Sequence, residues 1–154
     1  MMSIRVVGSE YADNFYNDFL GFVYKVDHLF EPPLSERVVL EDYAKKLYEE
    51  AHVFVVFEND EIQAASAFYC TPEKFDFGFL SFVASLKKGL GSKVIEEMIS
   101  HCKKMKMKGI ETQTWETNYN SLTMFKRYGF LEVEKVKNRD SNIESIILKL
   151  IFND

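Results

Sequence analysis

Two stretches of this 154-residue sequence carry residue types and spacings that can do chemistry. The first is Lys87-Lys88-Gly89-Leu90-Gly91-Ser92-Lys93, the chain's only close glycine pair. It lies between a predicted strand and a predicted helix. Helix N-termini expose unsatisfied amides and the positive end of the dipole. Glycines let such a backbone approach an anion closely. Lys87, Lys88 and Lys93 add positive charge, so the segment suits a phosphate or pyrophosphate. The same residues also describe an ordinary helix start. Neither of two familiar phosphate motifs is met. A P-loop needs Gly-Lys-Ser/Thr, whereas Gly91 is followed by Ser92 and Lys93. A dinucleotide fingerprint needs a third glycine where Val94 stands.

The second stretch runs from Asn118 to Phe130, Asn-Tyr-Asn-Ser-Leu-Thr-Met-Phe-Lys-Arg-Tyr-Gly-Phe. Asn118 or Ser121 can open a short helix that Gly129 ends. Proton-transfer candidates near it are Glu116 and Tyr119, with Tyr128 and Asp76 as further options. Each also has a structural reading, as a solvated or capping carboxylate or a packing ring. The general base and acid therefore stay unassigned. Cys70 reads as a small buried residue. The three histidines (His28, His52, His101) and two cysteines (Cys70, Cys102) show no metal-ligand spacing and no disulfide framework, so no metal is expected.

The elements that must position these stretches follow from periodicity. A first strand over Ser3–Gly8 precedes a helix that Ser9 can cap. That helix reaches Leu20, with Gly21 at its C-cap. An aromatic connection, Phe22–Phe30, ends in Glu31-Pro32-Pro33, where continuous helix is forbidden. Ser35 precedes a second helix to Glu50, with Leu40, Tyr43, Ala44 and Leu47 as its buried stripe. Strands over His52–Phe57, Ile62–Cys70 and Phe75–Ser85 form a meander joined by polar turns. After the glycine turn, Val94, Ile95, Met98, Ile99, Cys102 and Met105 make one apolar helix face, and Gly109 stops that helix. A strand over Ile110–Trp115, a helix to Tyr128, and strands over Phe130–Val136 and Ile143–Phe152 complete the order β-α-α-β-β-β-α-β-α-β-β.

The composition is 47% hydrophobic and 28% charged, a globular balance that excludes disordered and fibrous chains. The length fits one domain over 1–154. A net charge of −5 argues against nucleic acid as partner. The run Lys103-Lys104-Met105-Lys106-Met107-Lys108 reads as a solvated helix end complementing the dipole. The longest apolar run, Val53–Phe57, is too short to span a bilayer. No signal peptide is recognisable, so a cytoplasmic location and no membrane contact are expected.

The second half of the chain resembles the GNAT acyltransferase superfamily. One motif of that family, Gln/Arg-x-x-Gly-x-Gly/Ala, maps onto Leu86-Lys87-Lys88-Gly89-Leu90-Gly91. The other is Asn118, a small residue three on (Ser121), an aromatic four further (Phe125), then Gly129-Phe130. The match is best from about His52 to Val136. A weaker likeness, over Glu31–Arg37 and Tyr43–Leu47, is to a bacterial subgroup linked with sugar metabolism. The resemblance implies a mixed α/β fold. Its twisted, mostly antiparallel sheet would have six to seven strands and about four flanking helices. It further implies acetyl-CoA or CoA as co-substrate, in a gap where the strand around Phe82–Ser85 splays from Ile110–Trp115. Val83, Ser85 and Leu86 would line that gap. Amides of Lys88, Gly89, Leu90, Gly91 and Ser92, with Lys87 and Lys93 beside them, would hold the pyrophosphate. Asn118 and Ser121 would meet the pantetheine arm, and Phe125 would lie near the sulfur.

Two departures stand out. Leu86 replaces the polar Gln/Arg, and Phe125 replaces the tyrosine that in many members protonates the departing thiolate. The implied activity is N-acetylation of a small-molecule amine, an amino sugar among the options, by a monomer or homodimer. Trp115 either lines the acceptor pocket or covers the core edge. The rival readings are a CoA-binding protein with weak or no catalysis, and a protein-interaction module that keeps only the fold.

Overall fold

Residues 4–8, 14–30, 32–138 and 142–153 are described by a computed structural model of the chain. The strands are β1 (Ile4–Gly8), β2 (His52–Glu58), β3 (Glu61–Tyr69), β4 (Phe77–Ser85), β5 (Gly109–Trp115), β6 (Leu131–Lys137) and β7 (Glu144–Ile151). They form one sheet in the order β1-β2-β3-β4-β5-β7-β6. Every neighbouring pair is antiparallel except β4 and β5. The parallel pair needs a crossover, and α3 (Gly91–Lys104) supplies it. Helices α1 (Tyr16–Val26) and α2 (Leu40–Glu50) cover the opposite face, while α4 (Tyr119–Arg127) buries side chains in the same cluster as α3. This is the mixed fold with four helices that the sequence implies.

The core divides into two clusters, one on each face of the sheet. Val94, Ile95, Met98, Leu122, Phe125 and Phe130 belong to the α3–α4 cluster. Phe15, Phe19, Phe22, Val26, Ala44 and Leu47 belong to the α1–α2 cluster. A β-bulge connects this division to the site. Phe68 pairs with Leu80 and Ala67 with Phe82, which leaves Ser81 as an extra residue in β4. An inserted residue reverses the side-chain alternation beyond it. Leu80 therefore packs in the α3–α4 cluster, and Phe82, two residues on, packs in the α1–α2 cluster.

Strand boundaries shift by one or two residues, and three helix boundaries differ by more. The first helix does not stop at Gly21; it continues to Val26 and runs into a 3-10 turn, Asp27–Leu29. Phe22, Val23 and Val26 extend the apolar stripe of Phe15 and Phe19, all fully or nearly buried. Their burial outweighs the ~1 kcal/mol that glycine costs inside a helix. The expected cap, Ser9, lies outside the described residues. The second helix starts at Leu40, because Ser35 sits in a separate 3-10 turn, Leu34–Glu36. There its amide and hydroxyl donate to the two Asp27 carboxylate oxygens, at 2.8 and 2.6 Å. Gly109 does not end α3. The helix closes at Met105, and Lys106 takes the left-handed turn at φ 61°. Gly109 opens β5, where a Cβ would lie 2.1 Å from the Leu150 carbonyl oxygen and 2.8 Å from the Phe77 ring. Close backbone approach, not helix termination, requires glycine there.

Candidate functional site

The parallel ladder between β4 and β5 runs from Phe77–Gly109 to Leu80–Thr112 and goes no further. The Thr112 hydroxyl donates to the Leu80 carbonyl at 2.9 Å and closes the last rung. Beyond it, β4 stays with β3 through Ser85, while β5 stays with β7 through Trp115. The Ser81 bulge sits at this parting, as bulges commonly do where a ladder terminates. The result is the splay expected between these strands. A cleft of about 330 Å³ occupies it, with Val83, Asn118, Ser121 and Phe125 on one side and Phe30, Pro32, Arg37, Tyr43 and Trp115 also in its lining.

At the end of β4 the chain turns into α3. Leu86 donates its amide to the Gln63 carbonyl at 2.7 Å, and its side chain is exposed. The Ser85 hydroxyl donates to the Lys87 carbonyl at 2.6 Å and accepts from the Lys87 amide at 3.3 Å. Gly89 takes φ 89°, a left-handed conformation that glycine adopts freely. The Leu90 side chain is buried in the core, and its amide donates to the Lys87 carbonyl at 3.3 Å. Lys93 donates its amide to Leu90 at 3.2 Å, and the Ser92 hydroxyl donates to Gly89 at 2.7 Å. No acceptor among the described residues takes the amides of Lys88, Gly89, Gly91 or Ser92. α3 has neither a side-chain cap nor an acidic residue in its first turn. Such an N-terminus fits an external anion. The positive charge is smaller than three lysines suggest, since Lys87 Nζ lies 2.7 Å from the largely buried Glu58 carboxylate.

Across the cleft, Asn118 caps α4. Its Oδ1 accepts from the Ser121 amide at 3.4 Å, and its Nδ2 donates to Thr114 Oγ1 at 3.1 Å. Phe125 lies one helical turn beyond Ser121, is 3% exposed, and packs against Phe130 at 5.3 Å between ring centres. Of the proton-transfer candidates, Glu116 is committed locally. It accepts from the Glu144 amide at 3.2 Å and pairs with Lys135 at 3.9 Å. Tyr119 is 72% exposed, and neither it nor Glu116 lines the cleft. Asp76 pairs with Lys108 at 3.7 Å, outside the cleft. Trp115 does line it, with the Arg37 guanidinium 5.9 Å above its ring.

The resemblance implies an acceptor pocket formed by the first two helices, Phe22–Arg37 and the last hairpin, but sequence reasoning does not name the side chains that form it. The sequence pattern shows Tyr43 only as part of a buried stripe, yet its hydroxyl reaches the bulge, 3.3 Å from the Ser81 carbonyl. Burial pushes this phenol above its ordinary pKa, while the Ser81 hydrogen bond and the nearby Arg37 charge oppose the shift. Tyr43 therefore remains a neutral donor at physiological pH. It is the only phenol lining the cleft among the described residues. Phe30, Pro32 and Arg37 arrive from the connection between α1 and α2, which the Asp27–Ser35 clasp holds in place. No periodicity announces such a connection; the resemblance points to Phe22–Arg37 as a whole, and the Asp27–Ser35 spacing is the one local signal of how it is held. No group of three potential metal ligands occurs among the described residues, and no described helix is long and apolar enough to cross a membrane.

Comparison with known proteins gives one consistent result. Residues 12–130 match the Acetyltransferase (GNAT) family. No curated protein matches the chain. Among solved structures, a Desulfovibrio desulfuricans protein assigned to the GNAT family superposes with a TM-score of 0.76. It is 17% identical, over 98% of this chain and 99% of that one. A GNAT-family acetyltransferase from Bacillus cereus gives 0.70 at 20% identity, over 100% and 99%. A Bacillus anthracis protein solved with acetyl coenzyme A gives 0.60 at 17% identity, over 67% and 63%.

Proposed function

The chain belongs to the GNAT acetyltransferase family, and from that premise we propose that it is an acetyl-CoA-dependent N-acyltransferase acting on a small-molecule amine. The observation that carries this reading is the parted β4–β5 ladder, with unclaimed amides at one mouth of the cleft and an aromatic pocket at the other. The residues present fit CoA. Free amides of Lys88, Gly89, Gly91 and Ser92 suit its pyrophosphate, with Lys88 and Lys93 alongside. The Leu90 amide is spent within the turn. The open edge of β4 through Val83 and Ser85 offers backbone to an extended amide-bearing arm. Asn118 and Ser121 face that arm from α4, and Phe125 supplies an apolar wall. Leu86 contributes no polar contact.

Acetyl-CoA supplies the reactive acyl thioester. The balanced reaction forms a C–N bond and breaks the C–S bond, with the amine's proton passing to solvent or a base and the thiolate taking one up. The protein's part is positioning, which supplies much of the rate when two reactants are held together. Phe125 has no proton to give. Tyr43, a neutral phenol where the strands part, is the candidate donor in its stead.

A CoA-binding protein with little catalysis is the second reading, and the phenylalanine at position 125 favours it. Two measurements separate these readings. CoA should raise the melting temperature saturably. Acetyl-CoA with a broad amine panel should release free thiol. Protection without thiol release selects the second reading, and absence of protection sinks both.

A further inference from the structure

Resting on that reading, we propose that the acceptor is an amine that also carries an anionic group, a carboxylate or a phosphate, and that Arg37 selects it. Among the described residues, the cleft lining holds one charged side chain, the Arg37 guanidinium, and no carboxylate. Its remaining members are aromatic, aliphatic or neutral polar: Phe30, Pro32, Tyr43 and Trp115 lie on Arg37's side. A pocket that recognised a polycation would need carboxylates, because an ammonium desolvated beside a guanidinium is repelled.

Arg37 also has no carboxylate partner among the described residues, although the surface is rich in acids. Its exposed guanidinium lies 5.9 Å over the Trp115 ring, a distance at which the ring face attracts a cation. That contact leaves the hydrogen-bonding fork of the guanidinium available, and the fork matches carboxylate and phosphate oxygens. The backbone beneath it is fixed. Arg37 ends the 3-10 turn Leu34–Glu36 through its amide bond to the Leu34 carbonyl at 2.9 Å. Ser35, two residues earlier, is clasped to Asp27. The charge is thus held beside a pocket whose other described lining residues are uncharged.

Asp42, Lys46 and Glu50 line a neighbouring surface groove, which shares Tyr43, Phe79 and Ser81 with the cleft. That groove is the place a cationic acceptor would use, and a polyamine substrate is the competing outcome.

The test is a matched-pair assay of the full chain, following thiol release at saturating acetyl-CoA. One pair is phenylalanine against phenethylamine; another is glucosamine 6-phosphate against glucosamine; spermidine is the cationic probe. Wild type should prefer the anionic member of one pair, and that pair identifies carboxylate or phosphate as the group read. Arg37→Ala should lower kcat/KM for that member ~10–100-fold, the worth of a charge-assisted hydrogen bond, and leave its neutral partner within about twofold. Comparing the pair between the two proteins cancels the difference in amine basicity. Arg37→Glu should reverse the preference, and Arg37→Lys should restore only part of it.

Equal rates for both members of each pair, a preference that survives Arg37→Ala, or a preference for spermidine overturns the inference while leaving the acyltransferase reading intact. If CoA protects the fold but no amine reacts, calorimetric binding of N-acetylphenylalanine and inorganic phosphate to the CoA complex decides. Tighter binding to wild type than to Arg37→Ala supports the role of Arg37, and equal binding overturns it. Absence of CoA protection removes the functional reading and the inference with it.

Discussion

The two faces of the sheet build their halves of the cleft by different means. On the α3–α4 face the working parts are mostly backbone groups: a left-handed glycine at position 89 and helix-start amides without acceptors among the described residues, joined by one capping side chain, Asn118. On the α1–α2 face they are side chains held by ring packing. Phe82 lies within 5.3–6.4 Å, centre to centre, of Phe19, Phe22, Phe30 and Tyr43. Backbone devices tolerate little variation in residue type, because they depend on φ and on the missing Cβ. Packed rings tolerate exchange with other apolar residues, and can be reshaped while the sheet stays as it is. A fold with one half of each kind keeps one ligand constant and lets the other change.

The largest expected effect tests the aromatic half. Phe82 is 1% exposed and reaches the α1–α2 cluster only because of the Ser81 bulge. Phe82→Ala should cost ~3–5 kcal/mol of stability, the usual range for a buried phenylalanine, measured by denaturant unfolding. A loss under about 1 kcal/mol would mean that the rings around it do not depend on it.

The next effect belongs to the backbone half. Gly91 opens α3, and a Cβ there would meet the Ser85 Cβ at 3.3 Å, a contact that a small shift relieves. Gly91→Asp adds that carbon and a negative charge among the amides proposed to hold pyrophosphate. CoA affinity should fall ~100-fold, about 2.7 kcal/mol, while the melting temperature changes little, since an acidic residue suits a helix N-terminus. Calorimetric titration of the folded variant measures it. Unchanged affinity breaks the assignment of this turn.

These two halves also differed in how far the sequence revealed them. The glycine pair, the Asn118–Phe130 spacing and the apolar stripe of α3 are local patterns, and the structure has the turn, the capped helix and the crossover where those patterns lie. The seven strands and their order were readable for the same reason. Gly21 misled because a local signal, glycine after an apolar run, competed with burial of Phe22, Val23 and Val26 that only tertiary contact creates. Gly109 misled in the same way: its reason is the Leu150 carbonyl, forty-one residues away in sequence. Arg37 and Tyr43 could not be placed beside Trp115 and Ser81 without knowing where the bulge parts the sheet.

A smaller effect probes a residue that serves both structure and site. Asn118 caps α4 through Ser121 and bonds Thr114. Asn118→Ala should lower stability by ~1 kcal/mol as a lost cap. If Asn118 also meets the pantetheine arm, CoA affinity falls by a further ~0.5–1.5 kcal/mol. A stability loss with unchanged CoA affinity assigns it to the cap alone and narrows the backbone half to the glycine turn.

The smallest effect is a pH dependence confined to the α1–α2 side. The Ser35 hydroxyl bond holds the Asp27 carboxyl below its ordinary pKa of 3.8; desolvation is the next largest effect and opposes it, and amide bonds from Ser35 and Leu34 and the His28 charge add to the lowering. A carboxylate depressed in the folded state stabilises it above the unfolded pKa, and that contribution is lost as pH falls through the folded value. The clasp should therefore be at full strength above about pH 4 and fade below it. Ser35→Ala should lower the melting temperature by a few degrees at neutral pH, and the gap from wild type should shrink on acidification below pH 4. Asp27→Asn, which cannot titrate, should show no such shrinkage on adding Ser35→Ala. Because Asp27 is only half-buried, salt should also reduce the gap. The clasp carries the chain segment of Arg37, and its two hydrogen bonds stay within the α1–α2 connection. Ser35→Ala should accordingly raise KM for the acceptor while CoA affinity stays constant. A gap that persists unchanged to pH 2, or a parallel loss of CoA affinity, would show that the two halves are not separately built.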